Sequence, residues 1–368
     1  MSGDERGSRP TAIVYCEGNF GELDGKTANG LVRSSETYEI VGVVDSRWAG
    51  RDAGDLLDGT PNGIGVFAEV ADAVAAQPSP PDYFIVGMAP ASGLLSPSER
   101  RVVLDAIARG MGVVNGLHEF LGDDPEFAAA ALLAGVRLLD IRKPRPKRDL
   151  RVFSGRISSV TCPRIAVLGT DGAIGKRTTA TLVTRALVDR GIRAVMVGTG
   201  QTSLIQGARY GVALDAIAPQ FCSGEMEAAV VAAFEGEDPD VIVVEGQGAL
   251  SHPAYLTSAY ILRGSRPAGV ILQHAPRRIA LGDFPDLPMP TAASEINLIE
   301  TFAPTKVIGL TINHEHMDDG EIDDAIEQYQ RELGIPVTDA LARPTSRLVD
   351  MVLGAFPDLG TVAAGRLS

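Results

Sequence analysis

The chain has 368 residues, of which 45% are hydrophobic, 22% are charged and 5% are aromatic, and its formal net charge is −14. This length exceeds a single core of usual size and predicts two domains. The negative charge disfavours nucleic acid and anionic membranes as partners, and no apolar run reaches the roughly 18 residues of a membrane span.

The first part of the chain alternates short apolar strands with helical segments. Strands are predicted at residues 11–18, 38–46, 82–88, 111–117 and 137–142, and helices at residues 26–35, 66–77, 96–110 and 124–135. Either Ser96 or Ser98 is expected to cap the third helix. Short apolar strands separated by helices form parallel sheets covered on both faces. We predict an N-terminal Rossmann-like, doubly wound α/β domain over residues 1–150.

A basic, proline-containing segment interrupts this alternation. RKPRPKRDLRVFSGR, residues 142–156, carries two prolines and seven basic residues in an acidic chain. Charge runs of this kind usually lie in water, so we predict a solvated connector. The alternative is that some of these cations face a ligand that carries phosphate.

The remainder of the chain repeats the alternation. Strands are predicted at residues 164–169, 194–198, 241–246, 269–274, 307–313 and near 336–342, with helices that include 176–191, 223–236 and 292–303. We predict a second parallel α/β domain, of the P-loop NTPase-like type, over residues 151–368.

Three cysteines and the N-terminal segment bear on the compartment. Cys16, Cys162 and Cys222 are widely spaced and match no metal or redox motif, which indicates a reducing compartment. The N-terminal MSGDERGSRP has no apolar core for a signal peptide. We therefore expect a cytoplasmic protein.

The clearest motif follows the first strand of the second domain. In GTDGAIGKRTT a glycine is followed after five residues by Gly-Lys, between a predicted strand and a predicted helix. Glycines let the backbone approach a ligand, and the helix N-terminus and the lysine attract phosphate. We predict that this loop binds the phosphates of a cofactor. The residues expected to contact the cofactor are Gly169, Thr170, Asp171, Gly172, Gly175, Lys176, Arg177, Thr178 and, at the end of a later strand, Asn313.

The residue after the lysine is unusual for a nucleotide-hydrolysing loop. Arg177 occupies the place where a Ser or Thr normally holds magnesium, although Thr178 could substitute through a one-residue shift. We therefore expect a pyrophosphate such as that of coenzyme A and no bound metal. If a magnesium nucleotide binds instead, Thr178 and Glu245 are the expected metal ligands.

A second glycine-lysine segment lies in the first domain. DGKTANG, residues 24–30, contains Gly-Lys-Thr, but the glycines upstream have the wrong spacing for a phosphate loop and form no GxGxxG. Asp45 stands where a ribose-binding acid would, yet acids at strand ends are common. NAD binding here is a minor alternative.

Ligands of parallel sheets bind beyond the carboxyl ends of the strands, where several further polar residues cluster. We predict His252, Glu245 and Lys176 as catalytic residues. We predict that His274, Arg277, Arg278, Gln247, Ser251, Gln201 and Thr202 contact the substrate. The alternatives are that these histidines are core or surface residues and that the arginines are surface cations.

The motifs DGKTANGL, GTDGAIGKRTT and VVEGQGALSHPAY together resemble a family that includes D-glutamate N-acetyltransferase. This family was long filed as a domain of unknown function and was often labelled putative NAD-dependent epimerase/dehydratase. The loop spacing also resembles that of dethiobiotin synthetase. The resemblance implies a Rossmann-like domain followed by a P-loop domain, and transfer of an acetyl group from acetyl-CoA to D-glutamate or a related amino acid.

On this hypothesis the loop holds the coenzyme A pyrophosphate, His252 or else Glu245 is the base, and Arg277 or Arg278 binds a substrate carboxylate. The main alternative is an ATP- and magnesium-dependent kinase or ligase of the dethiobiotin-synthetase type that acts on a small carboxylate. A regulatory protein that binds ligand without catalysis is a further alternative. We expect a homo-oligomer with a small-molecule substrate.

Overall fold

The computed structural model describes residues 9–90 and 92–361. The first eight residues of the segment that we interpreted as lacking a signal peptide lie outside this described part. The chain divides into two compact units, one containing the chain up to Pro144 together with Gln201–Gly207, and the other containing Arg145–Gly200 and the chain from Ala208 onward.

The first unit is built on a six-stranded parallel sheet. Its strand order is β3-β2-β1-β4-β5-β6, the order of doubly wound dinucleotide-binding folds. The strands are β1 (Thr11–Tyr15), β2 (Glu39–Val44), β3 (Val66–Phe67), β4 (Tyr83–Val86), β5 (Gly112–Asn115) and β6 (Leu138–Asp140). The helices are α1 (Lys26–Arg33), α2 (Ala53–Asp58), α3 (Val70–Ala75), α4 (Pro97–Ala108) and α5 (Pro125–Ala134).

Local sequence signals explain the ends of several of these helices. Ser96, the first of the two predicted caps, forms a capping box with Glu99 at the start of α4. The predicted helix at 66–77 is wrong at its start, because Val66 and Phe67 pair with β2 as an edge strand and α3 begins only at Val70.

The second unit is built on a seven-stranded parallel sheet with the order β15-β14-β11-β7-β10-β8-β9. The strands of this part of the chain are β7 (Arg164–Gly169), β8 (Ala194–Gly198), β9 (Tyr210–Gly211), β10 (Val241–Glu245), β11 (Gly269–His274), β12 (Ala280–Leu281), β13 (Phe284–Pro288), β14 (Lys306–Ile312) and β15 (Val337–Asp339). β12 and β13 form a separate antiparallel hairpin. The helices of the second unit are α6 (Lys176–Asp189), α8 (Pro219–Glu237), α9 (Thr257–Ser265), α10 (Ala292–Phe302), α11 (Asp319–Leu333) and α12 (Ser346–Ala355), whereas α7 (Gln201–Gln206) belongs to the first unit.

The central strand of the second sheet is buried on both faces. Along β7, Ala166 and Leu168 belong to the apolar cluster on one face, and Ile165 and Val167 belong to the cluster on the other. This alternation follows from the two-residue period of a strand. The carboxyl end of β7 is therefore anchored in the core, and it fixes the start of the loop that follows.

Most of the basic segment at 142–156 is exposed, as expected of a solvated connector, but the segment also binds buried carboxylates of α8. Arg145 pairs with the buried Glu225 of α8, and the N–H groups of Ser154 and Ile157 donate to the buried Glu227 at 2.7 and 3.0 Å. Cations such as Arg148 remain exposed as expected. The backbone of the segment is nevertheless held on the surface of α8 by two buried carboxylates.

Candidate functional site

The loop after β7 lies at the centre of the second sheet. β7 pairs in parallel with β10 on one side and with β11 on the other, so the carboxyl ends of all three strands reach the same edge. Ala173 and Gly175 adopt left-handed φ angles of 46° and 103°, which turn the chain sharply into α6. No side chain caps the N-terminus of α6, and this is the arrangement in which helix N–H groups bind an anion.

Asp171 is almost fully buried and ties the loop to its surroundings. Its Oδ1 accepts from the N–H of Gly172 at 2.6 Å, and its Oδ2 accepts from the Arg278 guanidinium at 3.0 Å and from the N–H of Gly282 at 2.9 Å. The ammonium group of Lys176, also buried, donates to the carbonyl oxygen of Asp171. The loop is therefore fixed by its own polar contacts.

The guanidinium of Arg278 is already engaged with partners inside the second unit. It binds Glu315 through two hydrogen bonds of 2.9 Å, and its Nη1 also donates to Asp171 at 3.0 Å and to the carbonyl of Gly172 at 3.1 Å. This predicted substrate residue thus lies at the site, where it clamps the loop to Glu315.

Neutral polar side chains form hydrogen bonds beside the loop. Gln273 Oε1 accepts from the hydroxyls of Thr179 and Thr311, both at 2.6 Å. Asn313 donates to the carbonyl of Ile174 at 3.2 Å. Asn313 therefore lies next to the loop, and its predicted contact with the cofactor stays a prediction.

His274 is buried at the end of β11 between two hydroxyl groups. Its Nδ1 lies 2.9 Å from Thr170 Oγ1, and its Nε2 lies 3.0 Å from the Tyr329 hydroxyl. Burial lowers the pKa of His274 to about 4, so the ring is neutral at neutral pH. Both ring nitrogens are thus occupied by partners that link the loop to α11.

His252 is fully buried beside the loop. Its ring stacks on Tyr255 with centroids 4.4 Å apart, and its Nδ1 accepts from the N–H of Ala254 at 3.2 Å. Its Nε2 has no hydrogen-bond partner among the described residues, and the nearest carboxylate oxygen, Oδ1 of Asp171, is 4.0 Å away. Burial lowers the pKa of His252, and the charges of Asp171 and Asp283 partly offset this effect.

Glu295, which no sequence pattern indicated, is a buried carboxylate that holds the chain just before His252. From α10, Glu295 accepts from the N–H of Leu250 at 2.5 Å and from the hydroxyl of the predicted residue Ser251 at 2.6 Å. Burial raises the pKa of Glu295, while the hydrogen bonds from Ser251 and Leu250 oppose the rise. Glu295 lies more than forty residues beyond Ser251 in the chain, so no local pattern links the two.

Glu245, at the end of β10, binds the backbone of the loop that follows β8. Its Oε2 accepts from the N–H groups of Thr199 and Gly200 at 2.8 and 3.3 Å. Gln247 donates to the carbonyl of Thr199. These two predicted residues therefore lie together at the same edge of the sheet as the phosphate-type loop.

Three of the predicted substrate residues bind partners outside the phosphate-type loop. Gln201 and Thr202 belong to the first unit, where Gln201 accepts from Arg142 at 2.6 Å and Thr202 bonds Thr27 at 2.8 Å. Arg277 is half exposed and pairs with Glu321 on α11. Lys176 begins α6, so Arg177 and Thr178 lie in its first turn as expected.

The hairpin of β12 and β13 packs beside His252. Its turn donates the N–H of Gly282 to Asp171, and Asp283 accepts from the Tyr255 hydroxyl at 2.7 Å. Phe284 lies 5.7 Å from the His252 ring, centroid to centroid. A Gly-Asp pair between apolar residues, as in LGDF, is a known hairpin signal and could have predicted this element.

A cavity of about 310 Å³ opens beside His274 and Arg278, next to the N-terminus of α10 and to α11. Its lining combines apolar side chains such as Met289 with the polar groups of Thr291 and Tyr329. This volume is at the lower end of the range of small-molecule sites.

Within the described residues, no group of three or more His, Cys, Asp or Glu side chains is arranged so that it could hold a metal ion. No helix in the described part of the chain combines the length and the apolar character required to cross a membrane.

Two family models match the chain. Residues 151–349 match the P-loop domain of a domain of unknown function, DUF1611_C, and residues 46–144 match a Rossmann-like domain, DUF1611_N. These matches confirm the predicted fold class, a Rossmann-like domain followed by a P-loop domain.

Three individual proteins, two curated relatives and one solved structure, are similar to this chain. Two curated relatives, each named D-glutamate N-acetyltransferase, come from Tritonibacter scottomollicae and a Pseudoalteromonas species. The first is 30% identical over 274 residues, covering 72% of this chain and 79% of the relative, and the second is 28% identical over 265 residues, covering 70% and 77%. The crystal structure of a DUF1611 family protein from Anabaena variabilis is 30% identical, with a TM-score of 0.86 over 94% of this chain and 100% of that chain.

Proposed function

The chain belongs to the DUF1611 family, and on this premise we propose that it is an N-acetyltransferase acting on D-glutamate or a related amino acid. Acetyl-CoA is the proposed acetyl donor. The names of the two curated relatives support the reaction class.

The observation that carries the proposal is the loop between β7 and α6. It combines an uncapped helix N-terminus with the buried cation of Lys176, and the buried Nε2 of His252 lies 4.0 Å from Oδ1 of Asp171 in the same loop. Such a set of donors suits a diphosphate group, and coenzyme A contains one. The hydroxyl that would hold magnesium beside the lysine is replaced by Arg177, which favours a diphosphate that is bound but not hydrolysed.

The proposed reaction is acyl transfer from a thioester to an amine. The neutral amine attacks the thioester carbonyl, a C–N bond forms and the C–S bond breaks. The proton released by the amine passes through a base to the departing thiolate, and hydrogen-bond donors stabilise the oxyanion that forms on the carbonyl. His252 and Glu245 are the two residues that we predicted from the sequence as this base.

A substrate carboxylate needs a cation that can exchange partners. Of the two predicted arginines, Arg278 is held by Asp171 and Glu315 with only 15% of its side chain exposed, whereas the side chain of Arg277 is 50% exposed and pairs with Glu321. Exposed ion pairs contribute little free energy. We therefore propose Arg277 as the residue that binds the substrate carboxylate.

The test is a direct screen for product. The purified protein is incubated with acetyl-CoA and a panel of D- and L-amino acids, and N-acetylated products are read by mass spectrometry. Formation of N-acetyl-D-glutamate or a close analogue supports the proposal. Absence of acetylation across the panel, with ADP released from ATP and magnesium in the presence of a small carboxylate, would instead support the kinase or ligase alternative.

A matched pair of glycine substitutions tests the loop itself. A Cβ on Gly172 would meet no heavy atom within 4 Å, and its φ is not left-handed, so Gly172→Ala should fold normally while its methyl group enters the space proposed for the diphosphate. Gly354→Ala, equally open but on α12, is the control. We expect weaker coenzyme A binding in the first variant alone. Equal affinity in both variants would place the diphosphate elsewhere.

We also propose that the enzyme acts in the cytoplasm as a homo-oligomer. Light scattering coupled to size-exclusion chromatography measures the oligomeric state directly.

A further inference from the structure

We infer that His252 binds the diphosphate rather than acting as the base: its neutral ring donates a hydrogen bond from Nε2 to a diphosphate oxygen in the loop before Lys176. This inference rests on the proposed function for the identity of the diphosphate as that of coenzyme A. It assigns His252 a different role from the one that the sequence suggested.

The tautomer of His252 follows from its contact with the backbone. The N–H of Ala254 can only donate, so Nδ1 of His252, 3.2 Å away, must carry the lone pair. In the neutral ring the proton is then on Nε2. To act as a base through Nε2, the ring would have to exchange tautomers and lose its contact with Ala254.

The buried Nε2–H group of His252 needs a hydrogen-bond acceptor. The side chain is fully buried, and Nε2 has no hydrogen-bond partner among the described residues. A buried donor without a partner is costly, and native proteins rarely retain one without a ligand or water to accept it. Stacking on Tyr255 holds the ring next to Asp171 and the loop, and Phe284 also packs against the ring in a tilted arrangement.

The length of coenzyme A separates this point from the reacting carbonyl. Between the diphosphate and the thioester sulfur lies an arm with two amide groups, on the order of 15 Å when extended, as judged from standard bond lengths. A diphosphate at the N-terminus of α6 is within reach of Nε2 of His252, which is 4.0 Å from Asp171 in the same loop. The acetyl group of an extended ligand would then be too far from His252 for proton transfer.

Two substitutions separate the two nitrogens of the ring. In His252→Asn the amide oxygen can replace Nδ1 as the acceptor for Ala254, but the Nε2 donor is lost. In His252→Gln the amide N–H₂ group can reach the position of Nε2, but no group able to act as a base remains. Because hydrogen bonds to charged groups are strong, we expect His252→Asn to raise the Kd of coenzyme A and of ADP about tenfold to hundredfold. We expect His252→Gln to stay within about threefold of the wild type.

Binding is measured by calorimetry with coenzyme A, ADP, inorganic pyrophosphate and, as the ligand without phosphate, pantetheine. His252→Asn should raise the Kd of coenzyme A, ADP and pyrophosphate and leave the Kd of pantetheine unchanged. In turnover, His252→Asn should raise the KM for acetyl-CoA by a larger factor than it lowers kcat. A fall in kcat of about 100-fold in both variants, with unchanged Kd, is the pattern of a lost base and would overturn the inference.

The ¹⁵N resonances of the histidine rings give a readout that does not depend on activity. In the free protein the His252 ring, assigned by its loss in His252→Gln, should show a protonated Nε2 and an unprotonated Nδ1. The opposite tautomer would refute the inference while leaving the proposed reaction intact. If the wild type binds none of the three diphosphates, the loop is not a diphosphate site, and the proposed function is refuted as well.

Discussion

Acidification should destabilise the second unit through His274. The ring is buried between Thr170 and Tyr329, and burial lowers its pKa from 6.5 to about 4. In the unfolded chain the same ring takes up a proton as the pH falls through 6.5. Between pH 6.5 and 4 the unfolded state therefore binds more protons than the folded state, and the free energy of unfolding must fall with pH over this window.

The magnitude follows from the width of the window. It spans about 2.5 pH units, and each unit of pKa difference corresponds to about 1.4 kcal/mol. His274 alone should therefore contribute about 3 kcal/mol of stability that is fully present above pH 6.5 and absent below pH 4. This is a large share of the free energy of unfolding of a typical domain.

The assay compares urea unfolding of the wild type and of His274→Gln between pH 7.5 and 4. Gln cannot titrate, so the difference in unfolding free energy between the two proteins should shrink by about 3 kcal/mol as the pH falls. As a control for the loss of a histidine, His316→Asn replaces an exposed ring and should leave the free energy of unfolding at pH 7.5 nearly unchanged. A wild-type advantage over His274→Gln that is the same at pH 7.5 and pH 4 would refute the reasoning.

Three further substitutions test the surroundings of the loop. Because burial raises the pKa of Glu295, the wild type should lose stability as the pH rises above about 4.5, and Glu295→Gln should gain relative to it in urea unfolding; a constant difference would contradict this. Arg278→Gln leaves two carboxylates without their cation and should lower the free energy of unfolding by about 3 kcal/mol; a loss below about 1 kcal/mol would show that the pairs are weak. A methyl group on Gly246 would overlap the carbonyl oxygen of Val167, so Gly246→Ala should be destabilised by about 2 kcal/mol or more in thermal unfolding, unlike Gly354→Ala.

The sequence predicted the sheets well because each strand is a short apolar run with helices on both sides. Such runs are buried whatever their neighbours, so β7, β10 and β11 were predicted to within a residue or so at each end. The edge strand at Val66–Phe67 was missed because its two residues continue the helical pattern of the segment that follows. Pairing with β2, a contact distant in sequence, decides the conformation there.

In the candidate site, too, the residues in a local pattern were predicted and those brought in by contacts distant in sequence were not. The phosphate-type loop is encoded by glycines and a lysine within eight residues, so a local pattern predicts it. Glu295 and Asp283 reach the site only because α10 and the β12–β13 hairpin pack beside His252. The sequence also suggested that Arg278 could bind a substrate carboxylate, since no local signal shows that Asp171 and Glu315 already pair with it.

A chain with a net charge of −14 can bind an anion only where local positive groups outweigh its average field. At the loop, the negative charges of Asp171 and Glu315 exceed the single positive charge of Arg278. The surplus needed for a diphosphate must then come from Lys176, from the dipole of α6 and from neutral donors. This balance explains why a neutral N–H donor such as His252 would matter here, and why Arg177 beside Lys176 suits the proposed role better than a hydroxyl that needs magnesium.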